Sequence, residues 1–523
     1  MNSGSARPDV PQQRAGSVPR VQELLWCPRF RAGWSAVPSR LFCLGAFVLA
    51  CGLLMPLAAR AQDGRSNENQ VERMMGSVRG TEAQDLVGLR RYASTSFDAG
   101  QMALKSLGIC GALLLLTPGL ALFYLGMSPS AGKPVLALRV LAGAGVLSLA
   151  WVLWIYSLAF TRNEHSFDVD QREILAASPE FQKGNPYLGG LDHLGLRGLD
   201  SKLEGELPAY PVRRVGDSVP QLLILLLELA LLITAATPLA LCLPAGWRVA
   251  GVAIFCVLWG TVVYAPVVYW TWGGGWQAAA LDSTGGLVIH LTVGCSVLGA
   301  ALALRSPVTS SAPSTAEPPR LPWLLVGTAL IWGGALLVSA AHVSEDSGIV
   351  ANALLATHLA ACTGILGWTA GDWLKTGSAR PEGACCGALA GIASIAAGCG
   401  VVPAQSAMII GLVCSVFSQW AYRRMRPMDA AGVYTLPFAV QAVPGGLGVL
   451  LTGCFAASSV GGYNRHGDEI GGLLTGNLDQ IVTQALALVS VAGLSLAATF
   501  VLAKGAQSVL RRQSAVAAEG PAS

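Results

Sequence analysis

Charged residues are scarce in this sequence of 523 residues, since Asp, Glu, Lys and Arg together make up 12% of it. That is about half the charged fraction of an ordinary soluble protein. The charges sum to +4 and are spread along the chain, so they form no basic patch for nucleic acid. A soluble chain of this length would fold into about two to four domains, and it would need a polar exterior that this sequence lacks. The composition therefore excludes a soluble globular protein and a nucleic-acid-binding protein.

Motifs for catalysis in water are also missing. The sequence has no GxSxG, no Walker loop and no HExxH, the patterns that position a nucleophile, a phosphate or a zinc ion. Its thirteen cysteines contain no CxxC pair, and the adjacent Cys385 and Cys386 suit neither a metal site nor an ordinary disulfide. We interpret them as small packing residues. The sequence therefore predicts no enzyme, no metal site and no cofactor.

Long apolar runs are abundant instead, and 53% of the residues are hydrophobic. Each run is close to the ~20 residues that a helix needs to cross a bilayer. The 62 glycines fit a membrane bundle, in which small residues let helices approach closely. The sequence predicts an all-α membrane protein with about eleven transmembrane helices, at 103–126, 134–160, 219–243, 248–272, 283–304, 322–342, 350–370, 383–400, 404–421, 433–456 and 478–503.

The first 61 residues read as a targeting segment. A region with arginines precedes an apolar stretch at 41–57, which is followed by Ala59-Arg60-Ala61. This order is typical of a secretory signal peptide, here 1–61 with cleavage before Gln62, although an uncleaved anchor stays open as the alternative. Residues 62–102 are polar, and we expect them to form an exposed periplasmic segment ahead of the transmembrane domain at 103–503.

The orientation follows from two independent arguments. Cleavage after residue 61 leaves the mature N-terminus outside, so eleven spans place the tail at 504–523 in the cytoplasm. Basic residues, such as the cluster at 423–426, fall in the loops and span ends expected inside, as the positive-inside rule requires. The long loop at 161–217 is then extracytoplasmic. We expect a multi-pass protein of the inner (plasma) membrane, surrounded by the lipid bilayer.

Polar residues inside apolar helices are costly and usually serve a pathway. Asp282 directly precedes the segment STGGLVIHL, and we expect it to cap a helix N-terminus rather than to contact substrate. His290 lies eight residues further on, about two turns along a helix, where a relay and a satisfied core histidine both stay open. His358 is expected to bond a neighbouring helix, and Glu228 to cap or pair locally.

The chain also shows a faint internal duplication. Five spans followed by five more and a final helix suit an inverted repeat, with the substrate path between the halves. The segment GGLVIHLTVG at 285–294 has a loose counterpart in PFAVQAVPGG at 437–446. In this match His290 corresponds to Gln441.

Four motifs then occur in order, namely TPGLALFYLG (117–126), LAWVLWIYSLAF (149–160), WGGG followed by ALDSTGGLVIH (272–290), and LLTGCFAASSVGG (450–462). They resemble the motifs of the ammonium transporter (Amt/Mep/Rh) family, and the resemblance runs from about residue 100 to 503. It implies a homotrimer that takes ammonium or ammonia as substrate. Each subunit would hold its own pore between two inverted five-helix repeats.

Members of this family bind the cation at an outer vestibule, and two phenyl rings gate the pore. The proton leaves ammonium before the substrate reaches a pair of histidines. Carried onto this sequence, the resemblance makes Trp272 the vestibule tryptophan and Asp282 the structural aspartate. His290 is then the first pore histidine.

Other positions depart from the family pattern. The second pore histidine is Gln441, and the gating phenylalanines are Leu231 and Val338. The vestibule serine position falls in VSAAH, where His342 takes its place and Ser339 is a further residue of the expected substrate path. The tail lacks the family's regulatory motif, so a cytoplasmic regulator stays unknown.

These residues support two functions. The leading hypothesis is an ammonium or ammonia transporter or channel with altered pore chemistry. The rival is a non-conducting sensor of the same fold that binds ammonium or a signalling partner. The retained vestibule tryptophan and pore histidine favour transport, whereas the departures at Gln441, Leu231 and Val338 favour the sensor.

Overall fold

The computed structural model describes eleven stretches of the chain. They are residues 99–127, 134–161, 185–200, 202–204, 207–211, 219–244, 246–304, 318–343, 347–428, 433–462 and 469–519. The expected signal peptide at 1–61 and the exposed segment at 62–102, up to residue 98, lie outside the described residues.

Eleven long helices make up the described chain, and ten of them are long and apolar enough to cross a membrane. The prediction of an all-α membrane protein is confirmed. The helices are α1 (Ala99–Met127), α2 (Pro134–Phe160), α3 (Gln221–Cys242), α4 (Val249–Thr271), α5 (Gly286–Leu304), α6 (Leu321–His342), α7 (Ser347–Thr376), α8 (Pro381–Ile395), α9 (Ala404–Met425), α10 (Thr435–Phe455) and α11 (Leu478–Glu519).

Two boundaries differ from the predicted ones in an informative way. Helix α8 ends at Ile395 instead of continuing to residue 400, and turns at 396–402 connect it to α9. Helix α11 continues to Glu519, well past the predicted end at 503. Apolar composition continued beyond the end of α8, so composition alone could not locate this break.

A small β-hairpin lies between α2 and α3 in the described part of the long loop. Strand β1 (Lys202–Glu204) pairs antiparallel with β2 (Leu207–Ala209), and Leu203 lies opposite Pro208. The rest of the described loop, at 185–200, lies partly against the end of α2, where the N–H of Gly189 donates to the carbonyl of Leu158.

Glycines set the distance between helices α7 and α8. Gly383, Gly387 and Gly391 recur every fourth residue of α8, so they lie on one face of that helix. A Cβ on Gly387 would meet the carbonyl of Gly364 in α7, and one on Gly391 would meet the carbonyl of Ala360. The backbones therefore touch directly, as small-residue motifs allow in membrane bundles.

Helices α5 and α10 approach each other through similar close contacts. A Cβ on Gly294 of α5 would collide with Ala442 of α10, and one on Gly445 of α10 would collide with His290 of α5. Each helix contains a π-helical turn at this level, Gly286–Leu291 in α5 and Phe438–Ala442 in α10. The two turns carry His290 and Gln441, the pair that the internal duplication relates.

The packing of α7 on α8 predicts a position-specific effect. Gly391→Leu places a side chain against the backbone of Ala360, and overpacking of this kind costs about 1–3 kcal/mol or more. We expect a lower apparent Tm in detergent. Gly145→Leu is the matched control, because a Cβ at this position would meet no atom within 4 Å. Equal melting shifts for the two variants would contradict the packing described here.

Candidate functional site

Asp282 holds the N-terminus of α5. Its Oδ1 accepts hydrogen bonds from the N–H groups of Gly285 and Gly286, at 3.0 and 2.6 Å. Its Oδ2 accepts from Leu287 and Val288, each at 3.0 Å. Burial raises the pKa of Asp282 to about 6, and the four N–H donors oppose that rise because they favour the charged form. One carboxylate thus satisfies the four N–H groups that begin the helix, groups that have no partner within a helix.

The same segment joins the turn that ends α8. The N–H of Ser283 donates to the carbonyl of Ala397 at 2.9 Å, and the N–H of Thr284 donates to that of Ala396 at 2.8 Å. The hydroxyl of Thr284 donates to the same Ala396 oxygen. Backbone groups just after the end of α8 and just before the start of α5 therefore hydrogen-bond to each other inside the protein. Irregular backbone is tolerated within a membrane bundle when its polar groups have such partners.

Trp272 lies beside this segment. Its indole Nε1 donates to the backbone carbonyl of Asp282 at 2.8 Å. The ring of His342, at the end of α6, lies with its centroid 4.4 Å from that of Trp272. The two residues expected at the outer mouth are therefore in contact.

His342 is held by both of its ring nitrogens. Nδ1 lies 2.7 Å from the backbone carbonyl of Ser283, and Nε2 lies 3.3 Å from Oε1 of Glu228 in α3. The side chain of Glu228 is 3% exposed. A buried carboxylate is therefore a member of this cluster, which we call the mouth cluster: Trp272, Asp282, Ser283, His342 and Glu228.

A cavity of about 50 Å³ begins next to the mouth cluster. That is room for a few water-sized molecules, since a cavity needs roughly 10–15 Å³ to hold one water. Five of the expected path residues line it, namely Leu231, His290, Val338, Ser339 and Gln441. The other lining residues are Leu116, Leu120, Thr234, Thr284, Ile289, Ile331, Ala335, Thr357, Leu389, Ile392 and Ala396.

Trp272 and His342 are not part of the cavity lining. His342 follows Ser339 by three residues on α6, so it lies about one turn beyond the cavity. The mouth cluster and the cavity are thus separate, and Ser339 belongs to the cavity rather than to the mouth. Its hydroxyl lies 3.0 Å from that of Thr357.

His290 and Gln441 both line the cavity and supply an imidazole and an amide to it. The amide Nε2 of Gln441 donates to the hydroxyl of Tyr124 at 2.6 Å, which fixes the orientation of the amide. His290 Nδ1 is buried and has no hydrogen-bond partner among the described residues. Among the lining residues that the structure describes, His290 is the only histidine, and none carries a carboxylate.

Comparison with known proteins assigns the family. The model of the Ammonium Transporter Family matches residues 106–517, more than half of the chain. The chain belongs to the ammonium transporter family.

Relatives in sequence and in structure agree with this assignment. The chain is similar to the ammonium transporter of Bacillus subtilis, with 29% identity over 400 residues, covering 76% of this chain and 89% of the relative. It is also similar to ammonium transporter Amt1 of Archaeoglobus fulgidus, with 26% identity over 402 residues, covering 76% of this chain and 90% of the relative.

Among solved structures, Mep2 of Saccharomyces cerevisiae superposes with a TM-score of 0.65 at 25% identity, covering 78% of this chain and 85% of that one. A protein described as a sensor Amt protein superposes with a TM-score of 0.60 at 19% identity, covering 78% and 94%. That second likeness shows the fold alone. The inverted-repeat arrangement expected from the ammonium transporter resemblance is confirmed.

Two partners in this ammonium transporter fold could not be assigned from the sequence. Glu228 was expected to cap or pair locally, but it contacts His342, which lies 114 residues further along the chain. Tyr124 lies in the family motif TPGLALFYLG, which gives no indication that its hydroxyl accepts from Gln441. His358, expected to bond a neighbouring helix, stacks on Trp332 of α6.

The capping geometry predicts how substitutions of Asp282 behave. Asp282→Ala leaves four buried N–H groups without their acceptor, and each lost partner costs about 1–3 kcal/mol. Asp282→Asn keeps one acceptor oxygen and so should be destabilised less. We expect the apparent Tm in detergent to fall in the order wild type, Asn, Ala. Equal stability of all three proteins would show that the cap does not hold the start of α5.

Proposed function

We propose that this protein takes up ammonium at the plasma (inner) membrane and passes neutral ammonia through the cavity between its two five-helix repeats. The observation that carries the proposal is the position of His290 and Gln441 in a cavity that is otherwise lined by apolar side chains and a few hydroxyls, next to the mouth cluster. Membership of the ammonium transporter family and the names of the relatives support the substrate. The N-terminus outside and the C-terminal tail in the cytoplasm follow from the distribution of basic residues.

The charge of the substrate decides which species passes. An ammonium ion that enters an apolar cavity loses hydration worth far more than a few neutral hydrogen bonds return, whereas ammonia loses little. The described lining offers hydroxyls, one imidazole and one amide, but no carboxylate to compensate a cation. The cation therefore stops at the mouth, where the face of Trp272 attracts it by about 1–2 kcal/mol. There it releases its proton to the water outside, and neutral ammonia enters the cavity.

Gln441 determines what happens to the proton. A glutamine amide can donate and accept hydrogen bonds but does not titrate near neutral pH. Its amide can orient His290 and an ammonia molecule, but a proton relay through both side chains is broken. Flux through the wild-type cavity is then not coupled to charge movement.

Replacement of this glutamine tests the assignment. Gln441→His rebuilds a pair of titratable side chains in the cavity, so ammonium-dependent current should rise above that of the wild type. The measurement is solid-supported-membrane current on proteoliposomes, recorded alongside an internal pH dye that reports ammonia flux.

Gln441→Leu is the matched control, because it fills a similar volume without titrating and should give no current. A sustained ammonium current from the wild type would overturn the proposal of neutral flux. Absence of both flux and current from the wild type and Gln441→His would favour the non-conducting sensor instead.

We also propose that the protein assembles as a homotrimer, with one cavity in each subunit. Large apolar side chains on the outer faces of α2 and α9, including Leu141, Leu149, Ile409 and Trp420, are exposed in the single chain and are available to lipid or to neighbouring subunits. Native mass spectrometry in mild detergent should release a species of three chains. A monomer that retains ammonia flux would contradict the trimer.

A further inference from the structure

A pair of polar side chains spans the end of the cavity. Glu228 precedes Leu231 by three residues on α3, and His342 follows Ser339 by three residues on α6. Leu231 and Ser339 both line the cavity, so each polar residue lies about one helical turn beyond it. The two helices run in opposite directions from the cavity to these residues, so the contact between Glu228 and His342 lies at the mouth end of the cavity.

The hydrogen-bond partners of His342 fix where its protons lie. A backbone carbonyl only accepts, so Nδ1, which lies 2.7 Å from the oxygen of Ser283, carries a proton. In a neutral ring Nε2 then presents a lone pair. It faces Oε1 of Glu228 at 3.3 Å, and an ionised carboxylate is also only an acceptor. The contact is attractive only when one further proton lies between the two atoms.

Burial makes this proton decisive. The second carboxylate oxygen of Glu228 is buried and has no hydrogen-bond partner among the described residues. A buried charge that loses its partner is strongly destabilised. Without the shared proton, Glu228 and His342 would present lone pairs to each other inside the protein, so their contact would become repulsive.

Other charged and titratable groups lie near the pair. Lys105 of α1 donates to the backbone carbonyl of Ala341, next to His342, and its positive charge opposes a charged imidazole. Asp282 acts in the opposite direction, but its oxygens are occupied by the four N–H groups of α5. Tyr264 of α4 is buried, and its hydroxyl has no hydrogen-bond partner in the described chain.

We propose that Glu228 and His342 form the outer gate of the cavity and that a single shared proton holds this gate closed. The proposal rests on the proposed function, since the gate controls entry of ammonia. When the pair is protonated, His342 stays between Trp272 and Glu228 and covers the cavity. When the proton leaves, the side chains separate and the path from Trp272 to His290 opens.

The shared proton can be tested without transport. A group that gains a partner for its proton in the folded state stabilises the protein at low pH, and this contribution is lost as pH rises. The Tm of the wild type should therefore exceed that of His342→Ala at pH 5.5, and the difference should shrink towards pH 8.5. Differential scanning fluorimetry in detergent gives both values.

The variant Glu228→Gln distinguishes a stabilising effect of the shared proton from one of side-chain packing. The glutamine amide can donate its own N–H to Nε2 of His342, so the bridge no longer needs a proton from solution. The Tm of Glu228→Gln should exceed that of the double variant Glu228→Gln/His342→Ala, and this difference should not change with pH. The same pH dependence in Glu228→Gln as in the wild type would overturn the shared proton.

Flux then tests the gate. In proteoliposomes with an internal pH dye, total ammonium is adjusted so that the ammonia concentration stays constant between pH 6 and 8. Wild-type flux should rise several-fold over this range. Glu228→Gln should conduct slowly at every pH, because its bridge stays closed, and His342→Ala should conduct fast at every pH.

His358→Ala is the matched control. This histidine also stacks on a tryptophan, with ring centroids 5.3 Å apart, but its described contacts include no carboxylate. It should keep the pH dependence of the wild type in both assays. Wild-type flux that does not change with pH, or that falls in His342→Ala, would overturn the gate. The stability pattern without flux from any variant would instead overturn the transport function and leave the shared proton intact.

Discussion

The carboxylate of Asp282 is the constraint on which the rest of the site depends. Four N–H groups at the start of α5 donate to its two oxygens. Its own carbonyl accepts from Trp272, and the carbonyl of the next residue, Ser283, holds His342. The helix that it starts carries His290 into the cavity. One buried cap therefore fixes the mouth, the gate and the polar centre of the path relative to one another.

The mouth and the cavity, which lie on either side of this cap, differ in how they interact with a charge. Outside it, Trp272 provides an aromatic face that can attract a cation. Inside it, His290 and Gln441 offer neutral hydrogen bonds in a small apolar space. A cation is stabilised on the first side and destabilised on the second, because burying an unpaired charge is costly. In the proposed function, this difference, rather than a charged relay, discriminates ammonium from ammonia.

Much of this structure could be predicted from the sequence, because the signals were local. The apolar runs predicted the helices, and Asp282 directly before Ser-Thr-Gly-Gly predicted a helix cap. Contacts between distant segments were not readable. The pairing of Glu228 with His342 and that of Gln441 with Tyr124 depend on how helices pack. The early end of α8 depends on its hydrogen bonds to the start of α5, which composition does not reveal.

The central claim is that the species crossing the cavity is uncharged, and membrane potential tests this most directly. Ammonium uptake would be measured in proteoliposomes clamped by potassium and valinomycin at 0 and at −100 mV inside. A crossing cation would gain about 2.3 kcal/mol from that potential. The account predicts equal initial rates and equal final accumulation at both potentials. Faster uptake and greater accumulation at the negative potential would contradict it. Charge would then cross the cavity, although His290 and Gln441 cannot relay a proton.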